Sequence, residues 1–249
     1  MIDHSPLFLG KGEVYDRARN DFAPEAISWI AERTGFGPGK TALDVGAGTG
    51  MLTRHLLELG GEVIALDPNP DMLSRLRDRW PALHTLTCRA EQTPLTDESV
   101  DLVVCGRSFH WLDQDAALAE FRRLLRPPKW LALLWVPRVE TDHPAWRAMS
   151  EVMSEAKKTY PHRVPWGREE RSHFGGLFGG GYEMRLFPQQ WEMDEGMFVG
   201  LAESRSYFPL PDDLRHEPLV ARLREAFQRH VPGGRFTVPF ETEVHLARL

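Results

Sequence analysis

The stretch Thr41 to Gly50, T-A-L-D-V-G-A-G-T-G, limits what this chain can fold into more than any other. Thr41 to Val45 is a short apolar run with one acidic residue near its end, the composition of a buried parallel strand. Glycines follow at alternate positions, Gly46, Gly48 and Gly50, and the residues from Met51 to Leu59 then read as an amphipathic helix. Such a strand, turn and helix start let backbone approach a ligand closely, because glycine reaches positive φ and has no Cβ to hold the ligand off. The pattern is G-x-G-x-G, whereas the dinucleotide fingerprint is G-x-G-x-x-G, and Met51 stands where that fingerprint has its third glycine. Asp44, just ahead of the loop, is poorly placed beside a pyrophosphate and better placed for a ligand carrying an ammonium group.

Helix and strand signals alternate along the chain. A helix is expected over Glu25 to Arg33, with Gly35, Gly37, Pro38 and Gly39 ending it. Strands are expected over Glu62 to Leu66, His84 to Cys88, Ser99 to Cys105 and Leu131 to Val136. Helices are expected to open at Pro70 and to span Gln114 to Leu125. Asp67 closes the second strand 19 positions beyond Gly48, the interval at which such folds hydrogen-bond a ribose diol. Residues 137–181 break the alternation with a helix over Pro144 to Lys158 and a glycine-rich irregular stretch. A strand over Glu183 to Trp191, helices near Asp194 to Ser204 and Leu214 to His230, and a long last strand over Arg235 to Leu249 complete the chain.

Composition narrows the partners. A net charge of −6, with no compact Lys/Arg run, argues against nucleic acid. Cys88 and Cys105, the two cysteines, lie in apolar runs and read as buried free thiols, so neither a disulfide framework nor a zinc site is expected. The histidines are scattered without ligand spacing, and no metal is expected. The first six residues lack the basic and apolar parts of a signal peptide, and no apolar run approaches membrane-spanning length. The chain therefore reads as cytoplasmic, with no membrane partner.

The segment D-V-G-A-G-T-G, with Ala65-Leu66-Asp67-Pro68 one βα unit later, then Ala90-Glu91 and Phe109-His110-Trp111, resembles class I S-adenosylmethionine-dependent methyltransferases. Phe-His-Trp just past the fourth strand is similar to a subgroup that includes trans-aconitate methyltransferase-like proteins. The resemblance implies an α/β fold: a Rossmann-like, seven-stranded, mostly parallel sheet with helices on both faces, an antiparallel last strand and a small helical lid inserted after strand five. It implies one domain over residues 1–249, with a cofactor-binding core at 36–136, the lid at 137–181 and the C-terminal part of the sheet at 182–249.

The implied cofactor is S-adenosyl-L-methionine, and the implied contacts are Tyr15, Arg19, Asp44, Gly46, Ala47, Gly48, Asp67, Pro68, Met72, Ala90, Glu91 and Cys105. Arg107, Phe109 and Trp111 are expected to line the substrate side, and His110 is the available base for a hydroxyl or amine acceptor. A carboxylate acceptor would need no base, only a cation such as Arg107 to orient it. This chain departs from the family at Arg89, where an adenine-binding Asp is common, and at Arg19-Asn20, where Arg-Pro is common. The turn before the fifth strand is Pro127-Pro128-Lys129-Trp130 in place of Pro-Gly-Gly. The expected partner is a small-molecule acceptor, and the expected state is monomer or homodimer. Two rivals share these features: a nicotinamide-dependent oxidoreductase, and a non-catalytic cofactor-binding module of the same fold.

Overall fold

A computed structural model describes residues 20–139, 141–159, 171, 174–178 and 181–249. Its sheet is built from β1 (Thr41–Val45), β2 (Glu62–Leu66), β3 (His84–Leu86), β4 (Val100–Gly106), β5 (Leu125–Trp135), β6 (Glu183–Met193) and β7 (Phe236–Arg248). The spatial order is β3-β2-β1-β4-β5-β7-β6, parallel from β3 to β5, with β7 antiparallel to both its neighbours. The α/β fold expected from the sequence is the fold observed.

Period-two alternation in the central strands feeds two apolar cores, one on each face. Leu102 and Val104 face one core, Val103 and Cys105 the other; Ala132 and Leu134 likewise oppose Leu131, Leu133 and Trp135. The first face is covered by α1 (Pro24–Thr34), α2 (Met51–Glu58) and, further along the chain, α5 (Pro144–Thr159), α7 (Glu195–Glu203) and α8 (His216–His230). The second is covered by α4 (Gln114–Leu124) and the one-turn α6 (Phe174–Phe178). A smaller cluster of Ala47, Ala65, Leu73 and Leu76 seats α3 (Pro70–Arg79) beside the glycine turn.

Side-chain caps fix several helix starts: Asn69 accepts from the Asp71 N–H, Asp113 from Ala116 and Asp194 from Met197. β3 stops at Leu86, two residues short of the expected end, and β5 begins at Leu125 rather than Leu131. A register shift between Val100 and Leu102 lets the Pro127-Pro128 stretch bow out while β5 stays paired on either side.

The described parts of residues 137–181 are fastened to the body on both faces. Trp146 of α5 is fully buried with its ring edge-on to Phe240 at 5.8 Å, and Phe174 of α6 packs against Phe109 and Trp135 at 5.8 Å each. A helix was expected here, and α5 supplies it, but its apolar stripe is spent on the sheet.

Candidate cofactor and acceptor site

The site sits outside the carboxyl ends of β1, β2, β4 and β5, where the chain leaves each strand for a turn. After β1, the Gly46 and Ala47 N–H groups both donate to the Leu66 carbonyl, at 2.7 and 2.9 Å, binding the turn to the end of β2. Gly48 has φ +58° and nothing within 4 Å of where a Cβ would lie, so its backbone faces open space. Gly50, the glycine that arrives early, backs onto Trp80 and Leu76 and serves packing.

Asp44 and Asp67 flank this opening. Asp44 is 1% exposed; its Oδ2 accepts from Thr53 Oγ1 at 2.6 Å, and its Oδ1 has no hydrogen-bond partner. Burial, together with the neighbouring Asp67 charge and against the Thr53 hydrogen bond, pushes the Asp44 carboxyl up to about 7. Asp67 accepts from Gly48 N at 2.9 Å and Asn69 N at 2.8 Å, and burial pushes it above the ordinary carboxylate range despite those two bonds. A dry carboxylate with one orphaned oxygen is a place that a buried cationic group would complete. The side-chain set thus fits an amino-acid nucleoside, with an ammonium at Asp44 and a diol at Asp67.

The exit of β4 forms the other wall. Ser108 Oγ donates to the Val45 carbonyl, tying this turn to the glycine loop. Phe109–Trp111 is a single 3-10 turn in which His110 packs on Trp111, ring centroids 4.7 Å apart. Trp135, at the end of β5, donates its indole N–H to His110 Nδ1 at 3.3 Å.

Several expected contacts take other work. Phe109 is fully buried in the second core, because the 3-10 turn directs it under the sheet against Phe174, so it lines no opening in this conformation. The Arg107 guanidinium donates to the Asn20 carbonyl and lies over the Phe22 ring at 4.9 Å, anchoring the segment before α1. The Cys105 side chain is likewise inside the second core, where burial raises the thiol. Glu91 accepts from the Asp113 N–H at 3.0 Å and from Arg89 at 2.9 Å, so it braces the start of α4. Ala90 and Met72 are buried, and Pro68 is exposed beside Asp67. Trp111 is half-buried beside His110. Tyr15 and Arg19 lie outside the described residues.

Thr53, Ser108 and Trp135 were not singled out from the sequence. Trp135 had a usable signal, because it ends the strand next to β4 in a sheet whose ligands sit at carboxyl ends. Thr53 had a weaker one, lying on the face of α2 turned back toward β1. Beneath Trp135 lies a buried charged group: Arg171 is paired through two nitrogens with Glu243, at 2.6 and 3.2 Å, and Glu243 also meets His245 at 2.7 Å. Among the described residues no cluster of three His, Cys, Asp or Glu could hold a metal ion, and no helix is long and apolar enough to cross a membrane.

The sheet order and the acid-flanked glycine turn define the class I, Rossmann-like methyltransferase fold. Residues 43–133 match the family model described as a methyltransferase domain. It is 43% identical over 138 residues to an uncharacterized methyltransferase of Mycobacterium tuberculosis, covering 55% of each chain. It is also 43% identical over 91 residues to a malonyl-(acyl-carrier protein) O-methyltransferase of Serratia marcescens, covering 36% of each. The match thus spans about half, or less, of these relatives' own length. Among solved structures, a candidate type II methyltransferase from Anaeromyxobacter dehalogenans superposes with a TM-score of 0.67 at 20% identity, over 92% of this chain and 97% of that one. That likeness bears on the fold.

Proposed function

We propose that this protein transfers a methyl group from S-adenosylmethionine to a small-molecule acceptor. The observation that carries the reading is the orphaned Oδ1 of buried Asp44 beside the open backbone of Gly48, with Asp67 closing the far side. When bound, S-adenosylmethionine supplies an electrophilic methyl on a sulfonium, displaced in line by an acceptor lone pair. The chain's own work is holding and orienting. Asp44 neutralises the ammonium, Asp67 takes the diol, and Gly48 lets the backbone close on the ligand. His110 and Trp111 stand at the β4 exit as the acceptor-side wall. Aligning two reactants in this way contributes on the order of 7 to 11 kcal/mol without any nucleophile on the protein.

The two curated relatives named above are both called methyltransferases, which supports the class. A nicotinamide ligand fits poorly, since its pyrophosphate would meet Asp44 across the turn. Calorimetric titration of the protein with S-adenosylmethionine and, separately, with NAD tests the reading. Binding of the first alone is expected; binding of NAD alone overturns it.

A further inference from the structure

We propose that the groove between α5 and α8 binds a small organic phosphate, with Arg147, Arg229 and His230 holding the phosphoryl group and a floor of small side chains taking the body of the molecule. The groove shares no residue with the turn after β1, so the assignment does not rest on the methyl-transfer reading.

Two helical stripes make the groove. On α5, Arg147, Ala148, Glu151 and Val152 recur at three- and four-residue spacing along one flank; on α8 the matching run is Arg222, Glu225, Ala226, Arg229 and His230. The helices are antiparallel. Arg222 pairs with Glu155 at one end, and the charge of His230 acts on His143, just ahead of α5, at the other. That register sets Ala148 level with Ala226. Two methyl groups leave a cavity of about 550 Å³ where larger residues would close the helix pair, with buried Val152 in its floor. The volume is that of a small-ligand site.

The same register sets Arg147 level with Arg229, and Glu151 level with Glu225, so that like charge faces like. Arg147 and Arg229 are exposed, and neither has an ion-pair partner among the described residues, whereas Glu155 neutralises Arg222. His143 stacks on Phe236 at 4.5 Å, and burial first, then the His230 charge, hold it below the ordinary histidine range. This end of the groove is thus crowded with positive charge in a chain whose net charge is −6. Two guanidinium forks and an imidazole offer more donors than the two oxygens of a carboxylate can use. A phosphate monoester brings three oxygens and close to two negative charges. Further along, Glu151 and Glu225 would accept from hydroxyl or amino groups on the body and would repel a second phosphate. The chemistry is therefore that of a monoester with a polyhydroxy or amino body.

The probes are phosphoethanolamine, glycerol phosphate and inositol monophosphate, with inositol and inorganic phosphate as controls. Each is titrated into the nitrogen-15-labelled full chain at about pH 7 and about 150 mM salt, where exposed charges are largely screened. The readout is the Nε–H signals of Arg147 and Arg229, located by Arg147→Gln and Arg229→Gln. At least one ester should move both signals and bind about tenfold or more tightly than inorganic phosphate, while inositol moves neither. Each glutamine variant should weaken that ester about tenfold, and Ala148→Leu, which fills the floor, should bring it down to the level of inorganic phosphate. The proposal is overturned if no ester exceeds inorganic phosphate, if exposed Arg224 outside the groove shifts as far as Arg147, or if the arginine variants bind as the wild type does. If Ala148→Leu does not fold, the arginine variants decide. Failure of S-adenosylmethionine to bind the same sample would remove the methyl-transfer reading and leave this site standing.

Discussion

A Cβ placed on Gly46 would lie 2.4 Å from the Cβ of Ser108. The glycine therefore exists as much for the fourth strand as for the first: it lets the β4 exit close on the loop so that Ser108 can reach the Val45 carbonyl. Gly48, two residues on, shares positive φ, yet its Cβ would meet nothing.

The two glycines should consequently fail differently when replaced by alanine. Gly46→Ala sets a left-handed backbone against a steric overlap and is expected to lower stability by roughly 2 to 4 kcal/mol. Gly48→Ala carries only the backbone strain, about 1 to 2 kcal/mol, but fills the space opened to the ligand. Chemical denaturation and S-adenosylmethionine titration of both variants check this. The expected pattern is a larger stability loss at Gly46 and a larger affinity loss, about tenfold or more, in whatever Gly48→Ala remains folded.

Asp44 makes the apo protein's stability depend on pH in the direction opposite to most carboxylates. Its folded-state pKa, about 7, lies above the ordinary 3.8. The stability tied to its neutral form is fully present below about pH 4 and is lost as pH rises through about 7. Asp44→Asn, which keeps an acceptor for Thr53, should gain relative to wild type as pH rises from about 5 to about 8, by thermal unfolding without ligand. An ammonium at Oδ1 reverses the preference. Cofactor binding at about pH 6 should release close to one proton, and at about pH 8.5 very little, as read by calorimetry in buffers of different ionisation enthalpy. Equal proton release at both values would remove Asp44 from the ammonium site.

What could be read from the sequence is what the chain keeps local. Asp44, Gly48 and Asp67 were legible because a strand, a turn and a helix fix their mutual spacing, and a parallel βα unit brings the second acid back beside the first. The partners that complete the site come from far along the chain. Ser108 meets Val45 across 63 residues, and Arg171 meets Glu243 across 72. Arg107 illustrates the opposite hazard. Its position at the β4 exit was read correctly, yet with φ at +59° its side chain leaves toward Asn20, and no spacing rule reports on that.

Asp67 has two functions that substitution can separate. Its oxygens tie down the Gly48 and Asn69 N–H groups, so Asp67→Ala leaves two backbone donors to find water and should destabilise the fold by roughly 1 to 3 kcal/mol. The two N–H groups go to different oxygens, so Asp67→Asn keeps an acceptor for one of them, turns an amide N–H toward the other, and cannot accept a diol through two oxygens. The Asn variant should therefore lose about 1 to 2 kcal/mol in denaturation, yet bind S-adenosylmethionine about 10- to 100-fold more weakly, a larger loss than that destabilisation alone would give in the folded protein. A variant that binds normally would place the ribose elsewhere.

The Glu243–Arg171 pair is buried on both sides, with the two side chains 2% and 4% exposed. Burial alone would raise the Glu243 carboxyl, but the hydrogen bonds from His245 and Arg171 outweigh it and hold the group down to about 2. With the folded pKa depressed below the ordinary 4.5, its stabilisation is present above about pH 4.5 and is lost as pH falls toward 2. Glu243→Gln leaves the Arg171 guanidinium buried without its counter-charge, and a loss of about 3 to 5 kcal/mol is expected in denaturation at neutral pH. Removing both charges, as Glu243→Gln with Arg171→Met, takes away the stranded cation as well and should restore most of that loss. If the single and double variants are equally unstable, the pair is not coupled, and its hold on Trp135 would have to come from the aromatic packing of Phe174 and His245 alone.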